Sequence, residues 1–353
     1  MKTFVFLIIA ILLVAGAAGG YFWYQMQQPL YQPGNVRTGK NLKSPLTPPT
    51  QGSGADFWDV EPEVRLYHFS QGTGRNVLII HGGPGQPYRQ AWRGLEPLSA
   101  SYRFHYYDQR GAGKSTRPFD RIEGKNFYAN MQTVEQSLGV GAQLADIERL
   151  RQILGEAQLI LIGHSWGGFL ASLYAAEFPE HVEALVLVSP ADMLVMGGGE
   201  GGGLFEDVRA RLPEADRAAF DAFMQRYFAF NDLFSKSEAE LVALNAEFGE
   251  FYIQAMGDLP ALAEQGEPGG WMVFAQYLSL GQRHDYRPAV REVQVPVLVL
   301  HGAGDLQSEA VSRVYAETFP NARFEVIPAA THFTFDEQPD VFAALLKEFL
   351  TSH

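Results

Sequence analysis

Cysteine is absent from all 353 residues. That excludes disulfides, a thiolate nucleophile and a cysteine-linked lipid anchor. It leaves the redox compartment open, because an exported protein can simply lack the residue. Positive charge is scarce as well: 27 Lys and Arg face 40 Asp and Glu, for a formal charge of −13. A nucleic-acid partner is therefore not expected, since phosphate binding draws on clustered cations. No histidine or acidic cluster has metal-ligand spacing, so neither a metal nor another cofactor is expected. Apolar residues, by contrast, make up 46% of the chain and aromatics 13%, enough for a sizeable core in one large domain or two small ones.

Residues 1–24 form the only long apolar run. Lys2 precedes 21 uncharged residues from Phe4 to Tyr24, close to the roughly 20 that span a bilayer. Tyr21-Phe22-Trp23-Tyr24 suits an interfacial aromatic belt. The preferred expectation is a membrane anchor with the catalytic domain on the non-cytoplasmic side. The alternative is a signal cleaved near Ala15-Gly16-Ala17, giving a secreted or periplasmic enzyme. Residues 25–55, with Pro29, Pro33, Pro45, Pro48 and Pro49, read as a Pro-rich linker forming an extended tether, with part of it laid on the domain surface.

Strand signals follow near 64–69, 77–80, 104–107, 159–162, 184–188, 297–300 and 324–327, with helical signals between them at 141–154, 309–319 and 339–350. Such alternation predicts a mostly parallel sheet covered by helices on both faces. The core is expected in two parts, 56–190 and 289–353. Between them, 191–288 is dominated by helical periodicity and is read as an inserted helical cap, rich in aromatic and acidic residues. Its Gly197-to-Gly203 run, broken only by Glu200, reads as a flexible surface loop.

The chemistry-bearing pattern is Gly163-His164-Ser165-Trp166-Gly167. It follows the apolar run Gln158 to Ile162 and precedes a small-residue helix from Phe169. A strand-to-helix turn of this kind holds a serine hydroxyl clear of the sheet, at a helix N-terminus that favours negative charge. A serine needs a base, and the base needs an orienting acid. In this motif the acid and the histidine follow in chain order. Asp305, after the strand Val297 to Leu300, and His332, after the strand ending at Ile327, stand in the right loops. Gly82 and Gly83, after the strand Val77 to Ile80, can turn backbone N–H groups towards a developing oxyanion. Gly83 and Trp166 are the expected donors. His164 is expected to point away from Ser165. Gly111-Ala112-Gly113-Lys114-Ser115 imitates the end of a P-loop, but Asp108 stands where that motif needs glycine. Asp108 and Arg110 are read as tying down a loop.

These blocks resemble a known family. His81-Gly82-Gly83-Pro84-Gly85, Asp108-Gln109-Arg110-Gly111-Ala112-Gly113-Lys114-Ser115 and Gly163-His164-Ser165-Trp166-Gly167-Gly168 make the chain from about Asp56 onward look like an α/β-hydrolase, most similar to the proline iminopeptidases. The resemblance implies an α/β-hydrolase fold with Ser165 as nucleophile, Asp305 as orienting acid and His332 as base. Two positions depart from it: His164 and Thr331 stand where the family often has glycine. The insertion glutamates that hold the substrate amine are not matched either; Glu200, Glu206 and Glu247 are the candidates. The expected function is an acyl-enzyme serine hydrolase that removes N-terminal residues from short peptides, proline among them. The alternatives are an esterase or amide hydrolase acting on a small apolar acyl substrate, and a non-catalytic hydrolase-fold binding protein.

Overall fold

The structure, a computed structural model, describes residues 24, 27–52, 56–124, 126–193, 203–257 and 266–352. One sheet organises them, with strands in the order β1 (Phe57–Glu61), β2 (Val64–Gly72), β4 (Tyr102–Tyr107), β3 (Arg75–Ile80), β5 (Leu159–His164), β6 (Val182–Val188), β7 (Val297–Gly302) and β8 (Ala322–Ile327). From β4 to β8 every neighbouring pair is parallel, while β1 and β2 are antiparallel additions at one edge. All seven expected strands are present. The added strand β1 is short, and Asp59 and Glu61 break its apolar pattern.

The central strands are buried on both faces, which is why they read as continuous apolar runs. Their side chains still alternate with a period of two. Leu78, Ile80, Leu159 and Leu161 join one core, beneath α2 (Val140–Leu154) and α3 (Trp166–Glu177). Val77, Ile79, Ile160 and Ile162 join the other, with Trp92, Phe335 and α9 (Pro339–Ser352). A helix outside the sequence expectation, α1 (Phe127–Leu138), precedes α2, and α8 (Glu309–Thr318) joins β7 to β8.

Between β6 and β7 lies the expected helical insertion: α4 (Leu204–Arg211), α5 (Glu214–Tyr227), α6 (Glu238–Met256) and α7 (Trp271–Leu280). Its own core contains Phe220, Phe223, Tyr227, Leu241, Trp271 and Phe274. Ser237 and Glu240 close a capping box that starts α6. One carboxylate pins the insertion to the body of the molecule. Glu238 accepts from Gly270 N at 3.1 Å and Trp271 N at 2.7 Å, and pairs with Arg117. Arg117 also donates to Gly111 O. The glycine run lies outside the described residues except for Gly203.

Two expectations change. Residues 27–52, expected to lie in part on the domain surface, reach into its core. Tyr31 and Val36 are fully buried in the core beneath α2 and α3, and Arg149 donates to the carbonyls of Ser44 and Pro45. A few apolar anchors and backbone hydrogen bonds together dock this Pro-rich segment. The membrane placement is overturned too: among the described residues, no helix is long and apolar enough to cross a membrane. The non-cytoplasmic location, by anchor or by cleaved signal, is withdrawn with it. The run at residues 1–23 lies outside the described residues.

Candidate active site

Ser165 sits between the end of β5 and the first residue of α3, with φ 53° and ψ −121°. A side chain in that left-handed region is strained, and it persists only where its surroundings hold it. Here Ser165 N donates to Val188 O at 2.9 Å, and Ser165 O accepts from Gly168 N and Ala191 N, each at 2.9 Å. The neighbouring glycines are required by close approach. A Cβ on Gly163 would stand 2.3 Å from Gly167 O, and one on Gly167 would stand 2.0 Å from Ile80 O. The Ser165 hydroxyl makes no capping bond to its helix and faces a pocket.

Beyond the carboxyl ends of β7 and β8, Asp305 and His332 meet. His332 Nδ1 lies 2.9 Å from Asp305 Oδ2 and 3.1 Å from Oδ1. Burial opposes the charge on Asp305. The adjacent imidazole and the Gln307 N–H, 2.9 Å from Oδ1, outweigh it and hold the carboxyl down at about 2. Asp305 is thus an anionic acceptor that fixes which imidazole nitrogen carries its proton. The His332 loop is clamped by Glu337, whose carboxylate accepts from Thr331 N and, at 2.6 Å, from Thr331 Oγ1. Gln307 and Glu337 carry no motif and were not singled out from sequence.

The two oxyanion candidates lie just after β3 and β5. Gly83 lines the pocket with φ 113°, and a Cβ on its neighbour Gly82 would come within 3.0 Å of Ser165 Cβ. Trp166 opens α3, so its N–H belongs to the unpaired first turn. Asp108 takes a bidentate bond from Arg89 at 2.9 Å to each oxygen. Arg110 is buried against Asp146 and Glu61. Both hold the loop after β4, as expected.

His164 corrects an expectation. Its ring does not point away but lines the same pocket, with Nε2 2.9 Å from the backbone carbonyl of His332. Its Nδ1 is 2.5 Å from Tyr88 Oη, a residue the sequence reading passed over. The bond depends on a tertiary neighbour, so no local pattern announces it.

The pocket encloses about 900 Å³, its open mouth included. The insertion covers it with Tyr227, Phe248, Tyr252, Ile253, Val273 and Tyr277. No carboxylate of the insertion lines it among the described residues. Glu206 is spent on Gly203 N at the start of α4. Glu247 pairs with Arg226 at 2.5 Å, with both partly exposed. Glu200 lies outside the described residues.

A model of the alpha/beta hydrolase fold family matches residues 75–339. A proline iminopeptidase of Lactobacillus delbrueckii subsp. bulgaricus is 26% identical over 288 residues, spanning 78% of this chain and 90% of that protein. Among solved structures, an esterase from Exiguobacterium antarcticum superposes with a TM-score of 0.56 at 20% identity, covering 82% of this chain and 96% of that one. A proline iminopeptidase of Mycobacterium smegmatis gives 0.55 at 19% identity, covering 83% and 96%. At such identity the two structures speak for the fold alone.

Proposed function

Because the chain belongs to the α/β-hydrolase fold family, we propose that it is a serine hydrolase working through an acyl-enzyme. Ser165 is the nucleophile, His332 the base and Asp305 the acid that orients it. One observation carries this reading: Ser165, on its strained turn, opens onto the same pocket as a His332 already bonded to Asp305. His332 Nε2 takes the hydroxyl proton as Ser165 Oγ attacks a carbonyl carbon. The oxyanion accepts hydrogen bonds from Gly83 and Trp166 N–H. Collapse of the tetrahedral intermediate breaks the bond to the leaving group, which receives the proton from the imidazolium. Water then repeats the sequence on the acyl-enzyme and restores the serine.

The substrate class follows from the wall opposite. Aromatic and aliphatic side chains of the insertion favour a neutral, apolar acyl group. A cationic amine in a water-poor pocket needs a counter-charge, and the described lining supplies none. We therefore favour hydrolysis of esters or amides with an uncharged acyl part. Release of N-terminal residues is the second reading, favoured by the iminopeptidase relative.

The test is a screen of p-nitrophenyl esters against proline arylamide, free and N-acetylated. Turnover of neutral esters, with no preference for the free amine, is expected. A preference above about tenfold for the free amine, the size of one good charge interaction, would establish the aminopeptidase reading instead. Absence of fluorophosphonate labelling at Ser165 would refute both.

A further inference from the structure

Tyr88 and His164 take no part in the reaction steps above, yet both are turned onto the loop that carries the base. The protons in this pair can be assigned. The His332 carbonyl can only accept, so His164 Nε2, 2.9 Å away, carries a hydrogen. Burial, with His332 beside it, pushes the His164 imidazole well below its usual value and keeps the ring neutral. Nδ1 then holds a lone pair, which accepts the Tyr88 hydroxyl at 2.5 Å. Burial pushes that phenol well above its usual value, so it keeps its proton. One tautomer satisfies both contacts.

The ring is also clamped. His164 lies 5.2 Å from both Phe333 and Phe335, and 4.6 Å from the His332 ring. Tyr88 packs edge-on against Trp92 at 5.3 Å and Phe335 at 5.9 Å. An imidazole with both nitrogens engaged in this way is no spare base. Its one donated bond lands on the backbone of the residue whose ring must be aimed at Ser165.

We infer that Tyr88 and His164 form a positioning pair that fixes the His332 backbone through its carbonyl and so aims Nε2 at the Ser165 hydroxyl. The inference rests on the assignment of Ser165 and His332 as nucleophile and base. Asp305 constrains the far edge of the His332 ring, and Glu337 holds the preceding residue. The His164 bond supplies a further restraint, on the main chain of His332 itself.

Three variants separate positioning from packing. His164→Leu keeps bulk and removes the donor. His164→Gln restores a donor near the Nε2 position. Tyr88→Phe removes only the hydroxyl and releases the other His164 tautomer. Misplacing a catalytic group by about 1 Å costs about a hundredfold. His164→Leu should therefore lower kcat by about ten- to a hundredfold with KM within about twofold. His164→Gln should recover most of that loss, and Tyr88→Phe should fall between. Nitrogen-15 NMR of the wild-type histidines should show His164 neutral, with its proton on Nε2, at neutral pH. Equal activity of the Leu and Gln variants, unchanged kcat in His164→Leu, or a His164 protonated on Nδ1 would each overturn the inference. A wild type that no fluorophosphonate labels would overturn the hydrolase reading itself; a labelled wild type with equal variants overturns only the positioning role.

Discussion

Glu177 closes α3 at the end opposite Ser165 and is only 2% exposed. Its Oε2 accepts Tyr31 Oη at 2.9 Å and Gly34 N at 2.6 Å, and its Oε1 accepts Arg37 N at 2.7 Å. One carboxylate thus gathers three donors from the segment that the sequence suggested was an extended tether. Glu177→Gln replaces an oxygen with an NH2 group. In its better orientation the amide oxygen stays with Tyr31 and Gly34, and the NH2 meets the Arg37 N–H donor to donor. A lost charge-assisted bond costs about 1.5–3 kcal/mol, and a stranded N–H adds to that. The expected loss of stability is about 2–4 kcal/mol. Tyr31→Phe, which removes one donor, should cost about 1–2 kcal/mol. The double variant should fall short of the sum, because both changes act on one network. Urea unfolding with matched m-values measures these quantities. Turnover should stay within about twofold, since a helix of this length sets the two ends roughly 18 Å apart. A Glu177→Gln protein within about 0.5 kcal/mol of wild type, the range of ordinary surface changes, would show that the segment is not held through this carboxylate.

Asp305→Asn should reduce kcat by about ten-thousandfold, because an amide presents the imidazole with the wrong tautomer; near-normal kinetics would move the acid elsewhere. Ser165→Ala should lose turnover by about a millionfold while its circular dichroism matches wild type. Burial pushes the Glu135 carboxyl up to about 7, against a hydrogen bond from Ser279. The fold therefore keeps a proton that the unfolded chain releases near pH 4.3, and stability should decline between about pH 4.5 and 7 by about 3 kcal/mol. Glu135→Gln should flatten that slope in urea titrations, and an unchanged slope would refute the assignment. Gly167→Ala should yield little folded protein, since its Cβ would meet Ile80 O at 2.0 Å; normal expression and melting would count against this packing.

The strands were legible because burial on both faces leaves uninterrupted apolar runs such as Leu159 to Ile162 and Val297 to Leu300. Asp305 was legible because it follows such a run, and His332 because it follows the alternating edge strand Ala322–Ile327. What escaped depends on contacts that local pattern cannot carry. Helix α1 reads as polar, with Asn130, Gln132, Thr133, Glu135 and Gln136, and is fixed by packing against α7 and by the Asn126 cap. The docked segment at 27–52 has too few apolar residues to register by composition; buried Tyr31 and Val36 and the donors gathered by Glu177 hold it instead. The role of His164 depends on a carbonyl 168 residues away. Acidic residues of the insertion suggested an amine site, but Glu206 and Glu247 are occupied by a helix start and by an arginine.

The order of the sheet also carries a consequence for synthesis. The loops that bear Gly83, Ser165, Asp305 and His332 follow β3, β5, β7 and β8, which are near neighbours in space but enter in that order along the chain. A growing polypeptide displays its hydroxyl and its oxyanion loop long before β8 exists. The imidazole of His332 enters 167 residues after the hydroxyl of Ser165. At about 5–20 residues per second, roughly 8–33 s pass between them with the serine in place and nothing to activate it. The proposed activity therefore switches on late, when the last edge strand docks, and a chain cut short of that strand would be inert however well its earlier part had folded.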